Sequence, residues 1–102
     1  MFAVQLLIPL SDNDSKRFSP EHHGEFERFA VERIGGLTLL PGEAAGVWTD
    51  AGITYRDTML IYLIAVDSIT QGHLIAEIAE FAKRHYRQKA LYVSYLGYVE
   101  IL

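Results

Sequence analysis

Eight apolar residues in a row, Met59–Val66 in MLIYLIAV, limit what this chain can become. Strand side chains point alternately to opposite faces. A run with no alternation therefore has to be covered on both sides. The run closes a longer stretch, Val47 to Val66, that reads as two strands joined by a tight turn at Ala51-Gly52. One cover comes from the chain's own helices. The other needs a second layer, and 102 residues leave little to build it with.

The remaining segments fit around this stretch. Phe2 to Leu10 is a first strand, with Val4, Leu6 and Ile8 on one face, and Pro9 marks its end. The polar loop SDNDSKRF follows. Ser19-Pro20-Glu21 opens a helix: serine caps, proline suits the first position, and an acid suits the positive dipole end. Its apolar stripe is Phe26, Phe29, Ala30 and Ile34, and Gly35-Gly36 closes it. Leu37 to Leu40 starts a second strand. Pro41-Gly42 interrupts it, and Ala44 to Thr49 continues to the turn. The third strand runs from about Thr54 to Val66. Asp67-Ser68 is placed to cap a second helix with the stripe Leu74, Ile75, Ile78, Phe81, Ala82 and Tyr86. Ala90 to Tyr95 is a fourth strand, Gly97 suggests a bulge, and Val99 to Leu102 extends the strand as a short separate piece.

Strand, helix, strand, strand, helix, strand is the order of a ferredoxin-like α+β fold, βαββαβ. Residues 1–102 read as a single such domain, with a four-stranded antiparallel sheet and both helices on one face. We expect Met59, Ile61 and Leu63 under the helices with Val4, Leu6, Ile8, Leu91 and Val93. Gln5, Leu7, Trp48, Thr58, Leu60, Tyr62, Ile64, Tyr92 and Ser94 then fall on the open face. An apolar surface of that size marks an interaction site. A second copy of the chain is the commonest cover, so the expectation is a homodimer with Leu7, Leu60, Tyr62, Ile64 and Tyr92 at its interface.

Composition excludes several functions. The formal net charge is −4, from 13 acids against 9 bases, which suits neither nucleic-acid phosphates nor a generic polyanion. The third strand also lacks the basic-glycine-aromatic run of an RNA-recognition domain. There is no cysteine, so thiolate catalysis and zinc–cysteine sites are out. The apolar start MFAVQLLIPL is too short to span a bilayer, which takes about 20 residues, and it has no basic leader or cleavage site. We expect a cytoplasmic protein with no membrane partner.

Four constellations bear on chemistry. Glu21, His22, His23, Glu25 and Glu27 form the densest ligand-type cluster. His23 and Glu27, one helical turn apart, are placed to share a metal, but a metal needs three or more convergent ligands, and no partner segment is evident. We read a solvated helix face and expect no metal and no cofactor. Trp48, Tyr55, Arg56 and Asp57 surround the hairpin, where an indole beside a guanidinium and a carboxylate suits a small planar or anionic ligand; packing across the strands is the ordinary alternative. His73 and His85, twelve residues apart on a helix, stand about 18 Å apart and do not act on one atom. Lys83, Arg84, Arg87 and Lys89 make a basic, dipole-matched helix end.

Gly36-Leu37-Thr38, Gly46-Val47-Trp48, Tyr55-Arg56-Asp57 and Arg84-His85-Tyr86-Arg87-Gln88-Lys89-Ala90-Leu91 together carry a resemblance. The chain resembles a family of small bacterial domains of unknown function with a G-L-T…G-x-W…R-F-x-Q-x-x-V signature. It departs from that pattern at Tyr86, Leu91 and the spacer PGEAA. The resemblance implies an α+β fold and singles out Trp48, Arg56 and Gln88, with no activity attached. The expected function is a homodimeric structural or small-ligand-binding module, with Trp48, Arg56, Asp57, Tyr62, His85 and Gln88 as candidate ligand contacts. The alternative is a dimeric α+β barrel enzyme acting on a small organic substrate. In it Tyr62 and Arg56 orient the substrate and His85 or Asp57 serves as acid or base.

Overall fold

The computed structural model describes residues 1–67, 71–98 and 100. The elements are β1 (Phe2–Pro9), α1 (Pro20–Ile34), β2 (Thr38–Leu39), β3 (Ala44–Asp50), β4 (Ile53–Val66), α2 (Gly72–His85) and β5 (Tyr92–Tyr98). The sheet is antiparallel, in the order β2-β4-β1-β5, with β3 also paired to β4. This is the expected ferredoxin-like α+β fold, with five strands instead of four. The extra strand arises at Pro41-Gly42. Leu40 still donates to the Ile61 carbonyl at 2.9 Å. Pro41 has no N–H to continue the ladder, and Gly42 turns away at φ +86°. Pairing with β4 resumes only at Ala44, opposite Met59.

The caps of α1 form as the sequence implies. Ser19 accepts from the His22 N–H at 3.1 Å, Pro20 takes the first position, and Gly35 closes the helix at φ +92° with its N–H on Val31. The second helix differs. It begins at Gly72, with Gln71 at the cap position making no capping bond. Gln71 instead accepts from the Asp67 N–H at 2.6 Å, so Asp67 is not the cap, and Ser68 lies outside the described residues. The β3–β4 turn has Ala51 at φ +50° and Gly52 at φ +80°. Two positive φ values match the twist of the flanking strands. In β5 the register shifts between Ala3 and Val4, leaving Leu96 as an extra residue beside Gly97. The bulge expected at Gly97 is there. The extension expected over Val99–Leu102 lies outside the described residues, apart from Glu100.

The core corrects one expectation. Val4, Leu6 and Ile8 are fully buried, and their partners on β4 are Ile64, Tyr62 and Leu60. Residues directly opposite share a face. Tyr62 and Ile64 therefore lie under the helices with Phe26, Ala30, Ile75, Ile78, Ala82 and Tyr86, and Leu60 packs against them. Met59, Ile61 and Leu63 take the open face with Leu7, which pairs with both Ile61 and Tyr92. Leu60, Tyr62 and Ile64 are thus not available to a partner; Leu7 and Tyr92 are. In a run that is apolar throughout, hydrophobicity holds no information on parity. The register against β1 decides it.

On the N-terminal side of Met59 β4 outruns β1: the Leu10 N–H still reaches the Thr58 carbonyl at 3.0 Å, and from Asp57 outward β4 pairs with β3. Residues 46–57 thus form a two-stranded arm. Among the described residues no helix is long and apolar enough to cross a membrane.

Candidate functional site

Two structures are built where the start of α1 meets the end of α2. Phe26 enters the core, which fixes the rotation of α1. His22 then faces α2, while His23 and Glu27, one turn apart, line a cleft toward β4.

The first structure is a clasp. His22 Nε2 lies 2.7 Å from the His85 carbonyl oxygen, and His85 Nε2 lies 2.7 Å from the His22 carbonyl oxygen. A carbonyl only accepts, so each Nε2 donates. The two imidazoles stack with centroids 3.7 Å apart and planes 11° from parallel. Phe18 stacks on His22, Phe81 on His85, and Phe29 on Phe81, giving a run of five rings. Ligand atoms of His22, Glu25 and His85 come within 4.8 Å of one another. His85 is thus the partner segment missing from the sequence-level cluster, 63 residues further along. An imidazole lone pair lies in the ring plane, so two rings stacked face to face do not aim at one ion. As arranged, the trio locks the helices together.

The second structure is an open cleft of about 510 Å³, lined by Leu10, Arg17, Phe18, Pro20, His23, Glu27, Leu39, Leu60 and Tyr62. Two hydrogen-bonded pairs supply its polarity. The Tyr62 hydroxyl donates to Glu27 Oε2 at 2.7 Å, and His23 Nδ1 meets the Tyr86 hydroxyl at 2.7 Å. Burial, and then the proximity of His22, lowers the His23 imidazole below its ordinary value against the pull of Glu27. Burial, followed by the hydrogen bond and charge of Glu27, raises the Tyr62 phenol well above its own. Burial, and then Glu27 and Glu25, raises Tyr86. At neutral pH both phenols are protonated and His23 is uncharged.

The six expected ligand contacts do not form one site. Tyr62 is at the cleft. His85 is in the clasp, and Gln88 donates its side-chain amide to the Tyr86 carbonyl at 3.0 Å. Trp48 and Asp57 are on the arm, joined by an indole-to-carboxylate hydrogen bond of 2.6 Å, with Trp48 stacked on Tyr55 at 4.5 Å. Arg56 pairs with Val47, one residue along from Asp57, and so projects from the other face of the arm. The hairpin constellation is thus split, with Trp48, Tyr55 and Asp57 on one side and Arg56 on the other. Glu27, His23 and Arg17 at the cleft were not singled out with Tyr62 from the sequence. The signal available was the i, i+4 spacing of His23 and Glu27 on a face flanking Phe26.

No protein-family model and no curated protein matches the chain, so the sequence signature itself is not shown. Solved structures do resemble it. A phage SAM lyase in complex with S-methyl-5′-thioadenosine superposes with a TM-score of 0.73 at 13% identity, over 94% of this chain and 80% of that one. The divalent cation tolerance protein CutA1 from Thermus thermophilus gives 0.66 at 16% identity, over 99% and 86%. CutA1 from Oryza sativa gives 0.64 at 13%, over 99% and 82%. Identities this low establish the architecture alone: the chain has the ferredoxin-like α+β fold that these proteins share.

Proposed function

We propose that this protein is a small-ligand-binding module whose site is the cleft between the start of α1 and β4. The carrying observation is the pairing of His23 and Glu27 with buried tyrosine hydroxyls beside apolar walls. A few fixed polar groups in a mostly apolar concavity are the usual composition of a small-molecule site. The fold is compatible with such a role, since the phage lyase was solved with a nucleoside thioether bound. The module works in the cytoplasm as a homodimer. Supporting the dimer is the largely apolar open face of Leu7, Met59, Ile61, Leu63 and Tyr92, interrupted by Gln5 and Ser94, with Tyr92 57% exposed. The same two polar pairs favour a second reading, an enzyme that moves a proton on the bound molecule.

The test is a fragment set screened by NMR against the isotope-labelled full chain. Shifts clustered at His23, Leu39, Leu60 and Tyr62 are expected. Shifts that cluster elsewhere, or none, would sink the assignment. Turnover of a bound fragment would favour the enzymatic reading.

A further inference from the structure

We infer that the cleft selects a small organic cation, a protonated amine carried on an apolar or aromatic body. The inference rests on the cleft being the binding site and adds the class of ligand. It follows from a charge inventory of the lining. Three of the lining residues can carry a charge near neutral pH: Arg17, His23 and Glu27. The Arg17 guanidinium already has a carboxylate partner, Glu43, at 3.1 Å outside the cleft. His23 is half-buried beside two further imidazoles and engaged with Tyr86, which disfavours a proton on it. Among the described residues Glu27 is hydrogen-bonded to a neutral partner, the Tyr62 hydroxyl on one oxygen. A hydrogen bond stabilises the carboxylate but leaves its charge in place. The cleft therefore presents one uncompensated negative charge.

The positive end of α1 does not cancel that charge. Pro20 at the rim has no N–H to offer, and the His22 N–H is taken by the Ser19 hydroxyl. The dipole's influence fades within the first turn, and Glu27 sits in the second. Around the carboxylate the walls are Leu10, Leu39, Leu60, Pro20 and Phe18. These walls reward a hydrophobic body on the ligand. An anionic ligand would meet Glu27, and Arg17, the cation in the lining, is already shared with Glu43.

The experiment compares three probes of similar shape on the full chain by NMR titration: phenethylamine, phenethyl alcohol and hydrocinnamate. Phenethylamine should bind at the cleft about tenfold or more tighter than the alcohol, with hydrocinnamate weakest. In Glu27→Gln, whose amide oxygen still accepts from Tyr62, the amine should lose its advantage over the alcohol. The wild-type comparison stands by itself if that variant folds poorly. Equal binding of amine and alcohol, or tighter binding of hydrocinnamate, would overturn the charge inference and leave a ligand site in place. Failure of all three to perturb the cleft would overturn the site as well.

Discussion

Tyr62 keeps its hydroxyl inside the protein because Glu27 meets it there at 2.7 Å. Without that partner a buried hydroxyl would be costly. Tyr62→Phe removes one hydrogen bond and leaves a half-buried carboxylate that water can reach, so we expect a loss of roughly 0.5–1.5 kcal/mol in chemical denaturation. The pH dependence carries a sign. Tyr62 has its folded pKa raised above the ordinary 10.0, so the unfolded chain releases its proton first. Stability is then intact below about pH 10 and falls as pH rises beyond it, by up to about 1.4 kcal/mol per unit for one such group. Denaturation midpoints between about pH 9 and 11 should fall less steeply in Tyr62→Phe than in the wild type. Equal slopes would place the linked proton elsewhere. The roles of Ser19 and Gly35 were legible in the sequence because a cap is a local event, settled within about four residues. The role of Tyr62 was not, because its partner lies 35 residues away on α1.

Among the elements, the β3–β4 arm is the plainest case of local sequence fixing local structure. Ala51-Gly52 marks the turn in the sequence, and both residues take positive φ. Alanine does so against its Cβ, at a cost of about 1–2 kcal/mol. Ala51→Gly relieves that strain while loosening the unfolded chain, so thermal denaturation should show a net gain of up to about 1 kcal/mol. A loss would mean that the arm is held in another turn. Gly46 serves the arm differently. A Cβ there would stand 2.7 Å from Met59 Cε, so the bare backbone is what lets the Met59 side chain lie across β3. The clasp between α1 and α2 could not be anticipated in the same way. His22 and His85 each look like ordinary helix-end residues, and only the packing of Phe26, Ile78 and Ala82 sets their rings face to face.

At the scale of the whole molecule the two sheet faces have separate fates. One is sealed by the helices. The other carries Leu7, Ile61, Leu63 and Tyr92, and the arm adds Trp48 and Tyr55 on the same side. Ile61→Lys puts a charge on the open face without entering the core, so light scattering should show a wild-type dimer converted to a folded monomer. A wild-type monomer would remove the dimer from the proposed function. By itself the sequence determined the alternation of strands and helices, the α1 caps, the arm turn, the bulge at Gly97 and the helix stripes. Each depends on residue spacing or backbone conformation within a few positions. Only the tertiary structure decided which side of β4 is core, which histidines meet, and where Glu27 finds Tyr62. Those outcomes depend on strand register and on the rotation of α1 about its axis. Both are fixed by burying Val4, Leu6 and Ile8 against segments distant in the chain, and an apolar run such as MLIYLIAV satisfies either parity equally well until β1 pairs with it.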